Sequence, residues 1–263
     1  MEETINMKEK MGLKETRYEK RGMIAFVAYD TDGHHNMYTN TTLQELARIW
    51  QDYEADPELR CAILYGENKS FCAGHNLFKG EAISSEPPTL HKREIRLKKP
   101  IIAAVGGYAL GGGFSTALAC DMMICADDAK MGIPQAKYGL SSMGGPQLIP
   151  RIIPGVARWY LYTGENISGP EAYRLGMCLK CVPREALMEE ATKMAEKICE
   201  SSPDSIRYLK ESLEVGQNLP IDIALPVSIT ILKGFEHTAE YKANMQALME
   251  KKDPPFKPKK KSS

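Results

Sequence analysis

Gly111, Gly112 and Gly113 follow an apolar run that begins at Ile101 and precede a small-residue stretch, FSTALACD. That order reads as a buried strand, a tight turn and the start of a helix. Glycine at such a turn lets a ligand meet bare backbone, because no Cβ blocks its approach. The first N–H groups of a helix have no partner within it and lie at its positive end. Together these features can hold an anion, or an oxyanion that develops during a reaction. The same pattern also serves a glycine-lined turn that only packs against a neighbour. A second reactive cluster, Cys72-Ala73-Gly74-His75-Asn76, sits in a loop. A nucleophilic Cys72 would need a base, and His75 and His91 are the nearest imidazoles in the chain.

Several other chemistries are excluded. The stretch lacks the G-x-G-x-x-G dinucleotide pattern and the terminal Lys-Ser/Thr of a phosphate-binding loop. Gly139-Leu140-Ser141-Ser142-Met143 misses the second glycine of a serine hydrolase elbow. Cys178 and Cys181 form a lone C-x-x-C with no second pair and no nearby histidine, so no metal site is expected. Ile101 to Cys120 runs twenty residues without a charge, but five glycines interrupt it, which argues against a membrane span. The 34 basic and 34 acidic residues balance, which gives no electrostatic case for nucleic acid or a membrane surface. Seven scattered cysteines and an N-terminus without a secretory pattern point to reduced thiols and a cytoplasmic location.

The elements that must position these residues follow from periodicity. Arg21–Tyr29 and Arg60–Tyr65 read as strands, as do Ile101 onward, Met122–Ala126 and Lys130–Ile133. Thr42 with Glu45 has the form of a capping box, followed by Leu43, Leu46, Ala47 and Trp50 at helical spacing up to Asp56-Pro57. Leu90–Lys98 has helical character. Gly80–Thr89, which includes SSEPPT, is a loop expected to shape a pocket. Further helices are expected over Ser168–Leu175, from Pro183, and from Ser202-Pro203 to Gly216. The chain is thus α/β with a helical C-terminal region: residues 1–200 form the core and 201–263 the helical part, ending in a loose basic tail.

Two segments carry a resemblance. KSFCAGHNL, then KKPIIAAVGGYALGGGFSTALACD some thirty residues later, resemble the crotonase, or enoyl-CoA hydratase/isomerase, superfamily. The likeness continues through MGIPQAKYGL, GGPQLIPRIIP and YLYTGENISGPEAYRLGMCLKCVP. The tail HTAEYKANMQALMEKKDPPF extends it, and the first forty residues match least. The resemblance implies a spiral of ββα units with C-terminal helices at a trimer interface. It implies an acyl-CoA substrate, no cofactor beyond the CoA moiety, and a homotrimer or dimer of trimers. It further implies that the N–H groups of His75 and Gly112 hold a thioester enolate oxygen. Backbone around Ala73, Asn76 and Leu77 would bind CoA beside Gly111, with Lys251 or Lys252 near its phosphates. Gly112→Pro is then the direct test of the oxyanion assignment.

The chain departs from the family at the catalytic acids. Hydratases of the family carry two glutamates, three residues after the oxyanion glycine and twenty further on. Here those positions are Ser115 and Gln135, neither of which exchanges a proton as a carboxylate does. The segment where isomerases and dehalogenases place an acid reads GLSSMGG, Gly139–Gly145. Ser115, Gln135, Tyr138 and Ser142 remain as groups able to orient a water or a substrate carboxylate. Histidine at position 75 also occurs in a methylmalonyl-CoA decarboxylase-like branch of the family. Three readings stay open: an acyl-CoA lyase, isomerase, decarboxylase or hydrolase with an unusual acid/base set, a non-catalytic acyl-CoA binder, and a structural oligomer.

Overall fold

The computed structural model describes residues 4–31, 34–80 and 87–257. The chain opens with β1 (Thr4–Asn6), the single-turn helix α1 (Lys8–Met11) and a hairpin of β2 (Thr16–Arg21) and β3 (Ile24–Tyr29). Then come α2 (Asn40–Ala55), β4 (Cys61–Gly66), β5 (Ile101–Val105), β6 (Tyr108–Leu110), α3 (Gly112–Ala119), β7 (Met122–Ala126) and β8 (Lys130–Gly132). The C-terminal half holds α4 (Gly145–Ile152), α5 (Ala157–Thr163), β9 (Ile167–Ser168), α6 (Gly169–Arg174), β10 (Cys181–Val182) and α7 (Leu187–Cys199). Three further helices complete it, α8 (Pro203–Gly216), α9 (Ile221–Glu236) and α10 (Ala239–Met249).

Among the described residues, seven strands form one sheet in the order β1-β2-β3-β4-β5-β7-β10, and β6-β8-β9 form a second. From β3 to β10 every neighbour in the first sheet is parallel. Parallel strands covered on both faces read as unbroken apolar runs, and IAFVAY, CAILY and IIAAV are such runs. One face of the sheet packs Ala25, Val27 and Leu64 against Leu46, Ile49 and Trp50 of α2. The other packs Phe26, Ile63 and Ile124 against Leu187, Ala191 and Ala195 of α7. The chain leaves the large sheet after β5 at Gly106-Gly107, and β6, which leads into α3, pairs with β8 in the second sheet.

Three expectations need correction. Arg21–Tyr29 is not one strand: the chain turns at Gly22-Met23, where Gly22 takes φ +54°, and pairs Arg21 with Ile24. The cap of α2 is Thr39, whose hydroxyl accepts from Thr41 and Thr42 N–H, while the Thr42 hydroxyl accepts from Thr39 N–H at 3.0 Å. Glu45 serves another purpose. Its buried carboxylate accepts from Lys14 N–H (2.8 Å), Glu15 N–H (3.0 Å) and the Thr16 hydroxyl (2.8 Å), closing the loop that enters β2. Leu90–Lys98 forms turns in place of a helix, because Arg93 adopts φ +59° and Thr89 collects the N–H groups of Glu94 and Ile95. Leu90 and Leu97 are buried, so the apolar spacing there records anchoring of a loop. Of the loop expected to shape a pocket, residues 81–86 lie outside the described residues, as do 258–263 of the basic tail.

Candidate functional site

The segment Ser70–Gly74 runs beside β6, with Cys72 N–H donating to Tyr108 O and Leu110 N–H to Cys72 O. On its other side Tyr38 N–H donates to Gly74 O and Asn76 N–H to Tyr38 O. Gly74 is therefore clamped between two backbones at φ +95°, a conformation open to glycine. An ideal Cβ there would fall 2.8 Å from Leu110 O and 3.5 Å from Gly112 N. The absence of that Cβ brings the His75 peptide next to the start of α3. Gly112 is the first residue of α3, so its N–H lies outside the helical ladder at the positive helix end. A Cβ on Gly112 would fall 2.0 Å from Tyr38 Oη, which places the phenol directly beside this backbone.

This junction forms the floor of a cavity of about 620 Å3, within the size range of small-molecule sites. The structure gathers Ala73, His75, Leu77, Gly111, Gly112, Ser115, Gln135, Tyr138 and Ser142 around it. Asn76 is not on its wall: it caps the short turn Leu77–Lys79, its Oδ1 accepting from Phe78 N–H at 3.2 Å. Tyr138 is at the rim, 74% exposed, and so is placed to touch a ligand and not to act as a buried acid. Lys252 pairs with Glu250 at 2.7 Å on the surface. Sequence reasoning missed Tyr38, which lies in a loop without a motif and reaches the site only because its backbone pairs with residues 74–76. It also missed His91 as a wall residue and Met37, Phe78, Leu140, Met143 and Gly144 as lining.

The described part of the wall carries no carboxylate: among its lining residues there is no Asp or Glu. The polar groups are two imidazoles (His75 and His91), two phenols, three serine hydroxyls and the Gln135 amide. Among the described residues Ser115 Oγ and Gln135 Oε1 are buried without a hydrogen-bond partner, and Ser115 is only 1% exposed. Tyr38 packs edge-on against the His75 ring, with centroids 5.5 Å apart. Cys72 does not supply a nucleophile: complete burial pushes its thiol up to about 12, and its sulfur accepts from Gly74 N–H at 3.4 Å. Cys178 is buried, its Sγ 3.0 Å from that of Cys125, and both are free thiols. Among the described residues no group of His, Cys, Asp and Glu could hold a metal ion, and no helix is long and apolar enough to cross a membrane.

Comparison with known proteins bears on this site. A family model described as enoyl-CoA hydratase/isomerase matches residues 19–259. The chain is similar to the (E)-benzylidenesuccinyl-CoA hydratase of Thauera aromatica, 34% identical over 249 residues covering 89% of this chain and 95% of that protein. It is similar to the short-chain-enoyl-CoA hydratase of Clostridium acetobutylicum, 32% identical, covering 92% and 97%. In three dimensions it resembles an enoyl-CoA hydratase from Bacillus anthracis with a TM-score of 0.85 at 29% identity, covering 93% and 99%. The α/β core followed by C-terminal helices is thus the crotonase fold.

Proposed function

Because the chain belongs to the enoyl-CoA hydratase/isomerase family of enzymes acting on CoA thioesters, we propose that it is a lyase working through a thioester enolate. The enolate oxygen is held by the N–H groups of His75 and Gly112. The observation that carries this reading is Gly74, whose bare backbone sets the His75 peptide against Gly112 N. Each such donor contributes about 3–4 kcal/mol at the transition state in enzymes where it has been removed. The apolar side of the cavity, with Leu77, Leu110, Pro134 and Met143, takes the acyl chain. No cofactor is needed beyond the CoA moiety of the substrate.

The acid/base set is unusual. Ser115 and Gln135 stand where a carboxylate pair would be needed for hydration by two glutamates, so proton transfer falls to groups at other positions. The relatives named above are hydratases, and reversible addition of water next to the thioester is the leading reaction. A second reading, decarboxylation, is favoured by the absence of carboxylates from the described wall. Loss of CO2 generates the enolate without a base, and wall carboxylates would repel such a substrate. The test is incubation with crotonyl-CoA and with methylmalonyl-CoA in D2O, read by mass spectrometry. Addition of D2O to the first supports the hydratase reading. Loss of CO2 from the second with uptake of one deuteron supports the other. No change in either, or in longer and aryl-bearing enoyl-CoA esters, refutes the enzyme reading in favour of a binder.

The helices after residue 200 are proposed to make a homotrimer, or a dimer of trimers. In support, Leu209, Leu213, Ile221, Ile223, Leu225 and Leu248 of α8 to α10 are each at least half exposed, and apolar side chains left exposed on neighbouring helices suit a face that another subunit covers. Light scattering after size exclusion reads the mass; a 29.3 kDa monomer at micromolar concentration refutes it.

A further inference from the structure

Cys125 lies on β7 and is fully buried. Its Sγ stands 3.0 Å from that of Cys178. The backbone holds the two residues together. Leu179 N–H donates to Met123 O at 2.8 Å, and Cys125 N–H to Lys180 O at 3.1 Å. Residues 178–180 are thus laced to β7 by hydrogen bonds of the kind that set neighbouring strands about 4.8 Å apart. Cys181 follows as the register partner of Cys125 in the β7–β10 pair, so the two side chains leave the sheet on one face. The C-x-x-C of the sequence is therefore part of a trio of free thiols, completed by a strand residue 53 positions before Cys178.

Cys178 also lines a cavity of about 230 Å3 that shares no described lining residue with the cavity at Gly112. Asp121, Gly176 and Leu179 on its wall are exposed, so it opens at the surface. A small oxidant reaches Cys178 from there, while Cys125 stays off the described wall, behind it. Of two thiols in contact, one ionises more readily, because the S–H of the other steadies its charge. Contact with Cys125 lowers the Cys178 thiol from its ordinary value, and the same contact, with burial, raises Cys125. The thiolate is the form that reacts, so the sulfur that meets the cavity is also the more nucleophilic one.

We propose that Cys125 and Cys178 form a site of reversible oxidation, which hydrogen peroxide closes to a disulfide. The inference is independent of the enolate reading of His75 and Gly112. The Cys178 thiolate attacks one peroxide oxygen. An S–O bond forms, the O–O bond breaks, and the leaving hydroxide takes a proton to become water. Cys178 is now a sulfenic acid. The Cys125 sulfur gives up its proton and attacks the Cys178 sulfur. The S–S bond forms as the S–O bond breaks, and hydroxide leaves with that proton as a second water. Two electrons have passed from the sulfurs to the peroxide. A disulfide bond is about 2.0 Å long, so the sulfurs need to close by only about 1 Å. A reducing compartment keeps the pair as free thiols until an oxidant arrives.

The test uses the full-length protein, reduced with dithiothreitol, freed of it and treated with hydrogen peroxide. Alkylation after denaturation is expected to count all seven thiols before treatment and two fewer after it. Digestion without reductant should yield a peptide pair joined through Cys125 and Cys178, and dithiothreitol should restore both thiols. Cys125→Ser should form no bridge and should hold Cys178 as a sulfenic acid that dimedone labels, whereas the wild type resolves it and escapes the label. Cys181→Ser should close the bridge as the wild type does. An unchanged thiol count overturns the proposal, as does a loss of thiols with no joined peptide. So does a bridge that uses Cys181, one that links two chains, or one that forms only after urea has unfolded the protein. The wild-type result decides by itself, so a Cys125→Ser chain that fails to fold does not shield the proposal.

Discussion

Gly74→Ala attacks the junction on which the enolate reading depends, and its size can be worked from the backbone. At φ +95° an L-residue stands in a region that costs on the order of 1–3 kcal/mol. The new Cβ would fall 2.8 Å from Leu110 O, an oxygen held in place because Leu110 belongs to β6. Relief requires the 72–76 segment to move away from β6 and α3 by a few tenths of an ångström or more. For a chain of this size a loss of about 2 kcal/mol lowers Tm by roughly 4–8 °C. The same movement draws the His75 N–H away from Gly112 N–H, and losing one oxyanion donor lowers kcat about 10²–10³-fold. KM should change far less, since ground-state binding of the CoA thioester is spread over the cavity. Calorimetry gives the first number, and steady-state rates on the substrate found by the acyl-CoA panel give the second. A melting temperature unmoved by 1 °C, or a lowered one with unchanged kcat, would refute the reasoning. Gly112→Pro is a poorer probe than the sequence suggests, because any Cβ there meets Tyr38 Oη at 2.0 Å and repacks a buried ring.

Three further outcomes are expected. Glu45→Leu removes the acceptor of two N–H groups and one hydroxyl; it should cost about 2–5 kcal/mol in urea unfolding, and a loss below 1 kcal/mol would show that water replaces the carboxylate. Ser115→Glu with Gln135→Glu should raise hydration of crotonyl-CoA by about 10²-fold where the pocket admits that ester; no gain in a folded, CoA-binding variant would mean that pocket shape and not the acids sets the reaction. Cys72 should resist iodoacetamide at pH 8 in the native protein, because burial lifts its thiol to about 12; rapid alkylation mapped to Cys72 by mass spectrometry would show that the loop opens.

The buried parallel strands were legible because both of their faces are covered, which leaves an unbroken apolar signature at Ile24–Tyr29, Cys61–Tyr65 and Ile101–Val105. Pro203 and Gly216 marked the ends of α8 for equally local reasons. Thr39 was not legible as the cap of α2. The chain offers Thr39-x-x-Thr42 and Thr42-x-x-Glu45 in succession, and the choice was made by the loop of Lys14–Thr16, whose donors took the Glu45 carboxylate. Leu90–Lys98 misled for a related reason: apolar spacing reports which side chains are buried, and a loop pinned at Leu90 and Leu97 shows that spacing without helical backbone.

At the site the division is sharper. The sequence by itself determined that glycines free the backbone at 74 and 111–113, and that positions 115 and 135 carry Ser and Gln, because residue type limits which backbone a position allows and which protons it can exchange. Which groups stand around that backbone was decided by the tertiary structure. Tyr38 arrives through backbone hydrogen bonds to Gly74 and Asn76, His91 through a hydroxyl on α3, and Asn76 is turned away to cap its own turn. These placements depend on contacts between segments tens of residues apart, and the directions of their side chains are set by the strands and helix that hold them, which no local spacing encodes.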